Sequence, residues 1–249
     1  MLNAYNRPLI IAHRGAKAFA PENTMASFQL AVESKADGVE FDIKLTKDGE
    51  IIIIHDLTVD RTTNGKGRVK DFSLEELKKL DAGKFFSDKF IGEPIPLLSD
   101  VLKNLPSHFI INIEITNYGS LFDGLALRAV NLVKDLGLDK QVIFSSFFPT
   151  NLAITKKTAP EIPVAILANA GFSGWLSRSN LMSGISPQYV HPYLSDVNKN
   201  YVDRQHDMGR KVNVWTVNDP GEIERLANIK VDGIITDDPL LARKTLGVQ

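Results

Sequence analysis

Eight short apolar runs rich in β-branched residues recur along the chain, separated by stretches with helical spacing, and this alternation narrows the fold more than any other feature. The runs occupy residues 9–12, 39–43, 109–115, 142–145, 164–167, 188–191, 212–216 and 233–236. Runs of this kind read as strands of a parallel sheet wrapped by helices. Two helices are predicted most clearly between them. Over residues 121–136, Leu125, Ala129, Leu132, Val133 and Leu136 share one stripe and Gly137 offers a left-handed stop, and residues 201–208 repeat the pattern ahead of Gly209. Eight strands in 249 residues match a (β/α)8 TIM barrel, an α/β fold that takes about 250 residues. An open doubly wound sheet also alternates, but it needs a reversal of strand order that a sequence does not display.

One interval breaks the rhythm. Residues 44–108 separate the second and third runs, so a small inserted lobe over residues 45–107 is expected within a single domain spanning 1–249. It opens with Thr46-Lys47-Asp48-Gly49, whose Asp-Gly pair suits a hairpin, and returns through residues 51–54. Further on come Asn64-Gly65 and Gly67, then Ser73 with Glu76 at the spacing of a capping box that starts a short helix.

Composition removes several function classes. Hydrophobic residues make up 43% and charged residues 24%, as in soluble globular proteins. With 29 Lys plus Arg against 30 Asp plus Glu, no bulk positive field exists to gather nucleic acid or an anionic membrane, so any phosphate recognition must be local. The absence of cysteine rules out disulfides, thiolate metal sites and a cysteine nucleophile. The first eight residues lack a basic start followed by an apolar run, and the longest aliphatic block, residues 51–54, is far short of the ~20 residues that cross a membrane. A cytoplasmic monomer or homodimer without membrane insertion is the expectation.

In a barrel, side chains at the carboxyl ends of the strands surround the active site. The first strand ends in His13-Arg14-Gly15, the second holds Glu40 and Asp42, and the third carries Glu114 near its end. Strand alternation puts Glu40, Asp42 and Lys44 on one face. Carboxylates aimed at one space repel unless protonated, separately hydrogen-bonded or bridged by a cation. An all-oxygen set of Glu40, Asp42 and Glu114 suits a hard divalent ion, Mg²⁺ or Ca²⁺; the alternative is a structural pairing of Glu40 or Asp42 with Lys44 or Arg14. His13 and His55 each terminate an apolar strand. Phosphodiester cleavage needs one group to take a proton from the attacking oxygen and another to protonate the leaving alkoxide, and imidazole is nearest to neutral pKa. His108, His191 and His206 read as structural. The guanidinium of Arg14 matches two phosphate oxygens, and Gly15 beside it is expected to let substrate approach the backbone.

At these residues the chain resembles the glycerophosphodiester phosphodiesterase family. The likeness runs through His13-Arg14-Gly15, Ala20-Pro21-Glu22-Asn23-Thr24, Gly38-Val39-Glu40-Phe41-Asp42, His55-Asp56, Arg61-Thr62-Thr63-Asn64-Gly65-Lys66-Gly67, Ile113-Glu114, Ser146-Phe147, Trp215-Thr216-Val217-Asn218 and Asp232-Gly233-Ile234-Ile235-Thr236-Asp237-Asp238-Pro239. The resemblance implies the barrel, a divalent ion on Glu40, Asp42 and Glu114, acid–base roles for His13 and His55, a phosphate contact from Arg14, and substrate contacts from Phe147 and Trp215. It also implies a small-molecule glycerophosphodiester substrate, released as sn-glycerol 3-phosphate and an alcohol. One departure stands out: the family commonly continues Glu-Ile with Lys, and here Thr116 follows Glu114-Ile115. Thr116 donates only a neutral hydrogen bond, and Lys44, on the face of Glu40 and Asp42, is the nearest replacement for the missing cation. Two further readings stay open. One is the same chemistry on lipid diesters, of the lysophospholipase D or phospholipase C kind, with 171–176 as the loop that offers apolar contacts. The other is a non-catalytic barrel that binds phosphodiesters.

Overall fold

The computed structural model describes residues 6–120 and 122–248. Among these, the apolar runs become β1 (Leu9–His13), β2 (Gly38–Leu45), β4 (Ile110–Ile115), β5 (Val142–Ser146), β6 (Val164–Ala168), β7 (Tyr189–Pro192), β8 (Lys211–Val214) and β9 (Gly233–Thr236), with β3 (Ile51–Ile53) inside the insertion. The eight long-range partners are parallel and closed: β1 pairs with β2 on one side, Ile11 opposite Gly38, and with β9 on the other, Leu9 opposite Gly233. The expected (β/α)8 barrel is therefore the observed fold.

Alternation along the strands divides two environments. Val39, Phe41 and Ile43, Ile111, Ile113 and Ile115, and Val142 and Phe144 are buried in one large cluster with helix residues such as Phe28, Leu102, Val130, Val133 and Leu226. Fully burying side chains of this size contributes about 1.5–3 kcal/mol each. The intervening positions face the barrel interior, where Leu9, Ile11 and Ile235 form one small cluster and Ile143, Ala165 and Tyr189 another. Towards the strand ends the inward positions turn polar: Glu40 and Asp42 on β2, Asn112 and Glu114 on β4, Asn213 on β8.

The helices are α1 (Met25–Glu33), α2 (Leu74–Leu77), α3 (Leu98–Asn104), α4 (Leu125–Asp135), α5 (Pro149–Thr158), α6 (Trp175–Arg178), α7 (Lys199–Asp207), α8 (Pro220–Asn228) and α9 (Pro239–Thr245). The helix expected over 121–136 begins later, at Leu125, because Gly124 adopts φ 85° and Asp123 Oδ1 accepts the Leu125 amide at 3.0 Å; Leu121 lies outside the described residues. It stops as expected, at Gly137 with φ 68°. α7 starts two residues before the predicted 201–208, since the Asn198 side chain accepts the Tyr201 amide at 3.0 Å.

The insertion folds back on β2 through β3, which pairs antiparallel with Ile43, Lys44 and Leu45. Its unbroken run of isoleucines has a physical reason: Ile51 and Ile53 join the barrel core, whereas Ile52 and Ile54 join Val59, Val69, Leu77, Ala82 and Ile95 in a second core. The capping box at Ser73 forms as expected, the Glu76 carboxylate accepting the Ser73 amide at 2.8 Å. Among the described residues no helix is long and apolar enough to cross a membrane.

Candidate active site

The strand ends converge on a cavity of about 420 Å³ lined by His13, Arg14, Glu40, His55, Glu114, Phe147 and Trp215, among others. Parallel register places Asp42 beside Glu114 and His13 beside Glu40. One carboxylate oxygen from each of Glu40, Asp42 and Glu114 lies within 4.8 Å of the others. Burial, then the charges of Asp42 and Glu114, pushes the Glu40 carboxyl well above its ordinary value. Burial and then the charge of Asp42 push Glu114 up to about 8. Three carboxylates this close are short of positive charge, and a divalent ion is the group their donor set fits. Existing contacts offset part of the repulsion: Asn23 Nδ2 donates to Asp42 at 3.0 Å, the Arg14 amide donates to Glu40 at 3.2 Å, and the Tyr118 hydroxyl donates to Glu114.

The two histidines are built alike from opposite sides. His13, at the end of β1, has Nδ1 2.6 Å from Asp237 Oδ1, just beyond β9. His55, just beyond β3, has Nδ1 2.6 Å from Asp56 Oδ1. A carboxylate behind Nδ1 holds the proton there and leaves Nε2 as the working nitrogen. For His13 that atom is 3.9 Å from Glu40 Oε2. Despite the Asp237 hydrogen bond, burial pulls the His13 pKa below its ordinary value and so favours the neutral imidazole.

Arg14 sits with φ 55° and directs Nη1 to Glu22 at 2.8 Å and Nε towards Asp42 at 3.4 Å. Gly15 differs from the expectation that it opens the backbone to substrate. A Cβ built there would meet Ser27 Oγ at 2.3 Å, so the missing side chain serves the close approach of α1.

The glycerophosphoryl diester phosphodiesterase family model matches residues 13–241. The chain belongs to this family. A glycerophosphodiester phosphodiesterase of Caldanaerobacter subterraneus is 42% identical over 234 residues, covering 94% of this chain and 95% of that protein. Among solved structures, an Oleispira antarctica phosphodiesterase in complex with the product sn-glycerol-3-phosphate superposes with a TM-score of 0.86 at 30% identity over 97% of each chain. A glycerophosphodiester phosphodiesterase from Agrobacterium tumefaciens gives 0.83 at 28% identity, over 95% of this chain and 99% of that one. The protein is thus a phosphoric diester hydrolase, and the non-catalytic reading falls away.

The family member's aromatic wall is Phe147 against Trp215, 5.7 Å apart and edge to face, with Tyr193 5.2 Å beyond; Trp215 is anchored by its indole N–H on the His191 carbonyl at 2.7 Å. Lys44 and Thr116 do not line this cavity. The Lys44 ammonium donates to the Thr116 carbonyl at 2.7 Å and to its Oγ1 at 2.8 Å, lies 5.4 Å from the Tyr118 ring centre, and borders a separate recess of about 160 Å³. Burial pulls its pKa down to about 8. The other histidines have structural surroundings. His191 is fully buried, accepts from Asn213 Nδ2 at 3.1 Å and is pulled down to about 3 by burial; His206 pairs with Asp232 at 2.8 Å; His108 stacks edge-on against Phe109.

Sequence reasoning passed over several residues of the site. Asp237 and Asp56 carried a usable signal, each being an acid at or beside a strand end. Tyr118 carried none, since its place depends on how the loop after β4 folds back. In the 171–176 segment, the loop that offers apolar contacts, Phe172 is 91% exposed and Trp175 59%.

Proposed function

We propose that the protein hydrolyses glycerophosphodiesters to sn-glycerol 3-phosphate and an alcohol, with His13 and His55 exchanging protons and one divalent cation, Mg²⁺ or Ca²⁺, held by Glu40, Asp42 and Glu114. The observation that carries this reading is that two carboxylate-backed imidazoles share one cavity with Glu40 and Glu114, on which the Asp42 carboxylate converges from behind the lining. Its support from outside the chain is the family membership and the product-bound Oleispira relative.

The substrate's phosphate is an anion entering a cavity rich in carboxylates. A bound cation would supply Lewis-acid charge to offset both. Arg14 adds a donor beside the same space, with Glu22 and Asp42 fixing its orientation. One imidazole Nε2 takes the proton of the attacking oxygen, and the other gives its proton to the oxygen leaving with the alcohol. The carboxylates of Asp237 and Asp56 keep a proton on Nδ1 of each ring, so that Nε2 accepts in the ring that starts neutral and carries the donated proton in the ring that starts as imidazolium. Phe147 and Trp215 present apolar faces to the glycerol carbons and exclude water from that side.

Turnover of glycerophosphocholine, read by coupled detection of glycerol 3-phosphate with and without a chelator, tests the proposal. Chelation abolishes activity if the carboxylates hold a required ion. Full turnover in chelator makes the cluster structural, and failure across a panel of glycerophosphodiesters overturns the substrate class. A second reading, cleavage of single-chain lipid diesters, is favoured by the exposure of Phe172 and Trp175 beyond β6, on the mouth side of the barrel. A higher kcat/KM for lysophosphatidylcholine than for glycerophosphocholine would establish it.

A further inference from the structure

His13 stands on the barrel itself, whereas His55 is carried by the inserted lobe. Two proton carriers on different units work together only if something fixes one against the other. The lobe's own core and β3 hold it to β2, and the Glu93 carboxylate accepts the Ala26 amide at 3.0 Å. That core reaches the segment after His55 at Val59, but none of these contacts joins the segment to the loop after β1.

Arg61 does. Its Nε and Nη2 donate to the two oxygens of Asp56 at 2.8 and 3.0 Å, and its Nη1 and Nη2 donate to the two oxygens of Glu22 at 2.8 Å each. Asp56 is the acid behind His55, and Glu22, on the loop after β1, is the acid that also holds Arg14 Nη1 at 2.8 Å. The guanidinium therefore uses both of its edges, one on the lobe and one on the barrel.

We infer that Arg61 is a positioning residue: by clamping Asp56 to Glu22 it fixes His55 of the lobe in register with Arg14 and the barrel half of the active site. This rests on the proton-transfer role proposed for His55. A side chain 45% exposed gains little from an isolated ion pair, so four hydrogen bonds to two acids indicate orientation more than stability. Arg61's hydrogen bonds keep Asp56 far below the ordinary carboxylate range, so the acid behind His55 remains an acceptor. A lysine in its place has a point charge on a flexible stem and cannot reproduce two bidentate contacts.

The test uses Arg61→Ala, Arg61→Lys, His55→Ala and the Arg61→Ala/His55→Ala double variant on glycerophosphocholine in the presence of the divalent ion. Arg61→Ala is expected to lower kcat by about 10–100-fold while KM moves by less than about threefold, because binding survives and the proton carrier is misplaced. Arg61→Lys retains an intermediate rate, and guanidinium ion at a non-denaturing concentration restores part of the Arg61→Ala loss, which a purely structural defect would not allow. In the His55→Ala background, Arg61→Ala costs nothing further. Independent losses from the two substitutions, or a loss confined to KM, overturn the clamp while leaving the role of His55 intact. Unchanged kcat in His55→Ala alone overturns the role of His55, and the clamp with it.

Discussion

Replacing Glu114 with glutamine is expected to stabilise the metal-free protein and inactivate it at once. Burial and the neighbouring charge of Asp42 raise the Glu114 pKa from 4.5 to about 8, and Glu40 moves in the same direction. Between those two pH values the folded protein keeps protons that the unfolded chain has released, so this contribution to stability is full below pH 4.5 and is lost as pH rises through about 8. At about 1.4 kcal/mol per unit, the interval for Glu114 has an upper bound of about 5 kcal/mol; water entering the cavity reduces the expected effect to about 2–3 kcal/mol. Glutamine keeps the shape and an acceptor for the Tyr118 hydroxyl but cannot ionise. Thermal unfolding in chelator at pH 8 should therefore show Glu114→Gln melting above the unaltered protein by roughly 4–10 °C, a gap that closes at pH 4.5. Added Mg²⁺ or Ca²⁺ should raise the melting temperature of the unaltered protein more than that of the variant, and the variant should turn over no substrate. A lower melting temperature for Glu114→Gln at pH 8, or an equal difference at both pH values, would refute the crowded-carboxylate argument.

Two further outcomes follow from the site. Loss of either His13 or His55 should lower kcat by on the order of 10²–10⁴, and with a nitrophenolate leaving group only the variant lacking the general acid should recover; equal losses on both substrates would refute the division of labour. Lys44→Met, which keeps the length of a side chain bonded to Thr116 and placed outside the main cavity, should leave KM within about threefold; a rise of tenfold or more would put its ammonium on the phosphate.

The strands were legible because burial on both faces makes β1, β6 and β9 nearly continuous apolar runs, while β2 and β4 keep a large apolar residue at every second position. Their ends were less so. β2 extends past the expected 39–43 to Leu45 because Lys44 and Leu45 find partners in Ile52 and Ile51, a pairing made by the returning hairpin and not by any local pattern. The run over 212–216 closes early, at Val214, where Trp215 leaves β8 and bridges instead to Tyr193. The carboxylate cluster could be read from alternation on β2 together with the position of Glu114 near the end of its strand. The clamp of Arg61 could not, because it joins residues 5 and 39 positions apart through side chains whose directions only the folded lobe decides.

Lys44 shows where periodicity stops being informative. Alternation assigns it to the face of Glu40 and Asp42, one residue beyond the last β2–β4 pair, Ile43 opposite Ile115. What alternation does not contain is where a four-carbon stem ends. A buried ammonium must be met by acceptors, and for Lys44 the nearest are the Thr116 carbonyl and hydroxyl, with the Tyr118 ring over it. The same threonine that raises the question of a missing cation thus also draws the neighbouring cation sideways, out of the cavity. Thr116 Oγ1 in turn donates to the Ile43 carbonyl at 2.8 Å, so its hydroxyl is occupied on both sides. On the proposed function the positive charge that meets a phosphate would come from Arg14 and a bound cation, and the departure at position 116 bears on how the mouth of β2 and β4 is braced before it bears on the substrate.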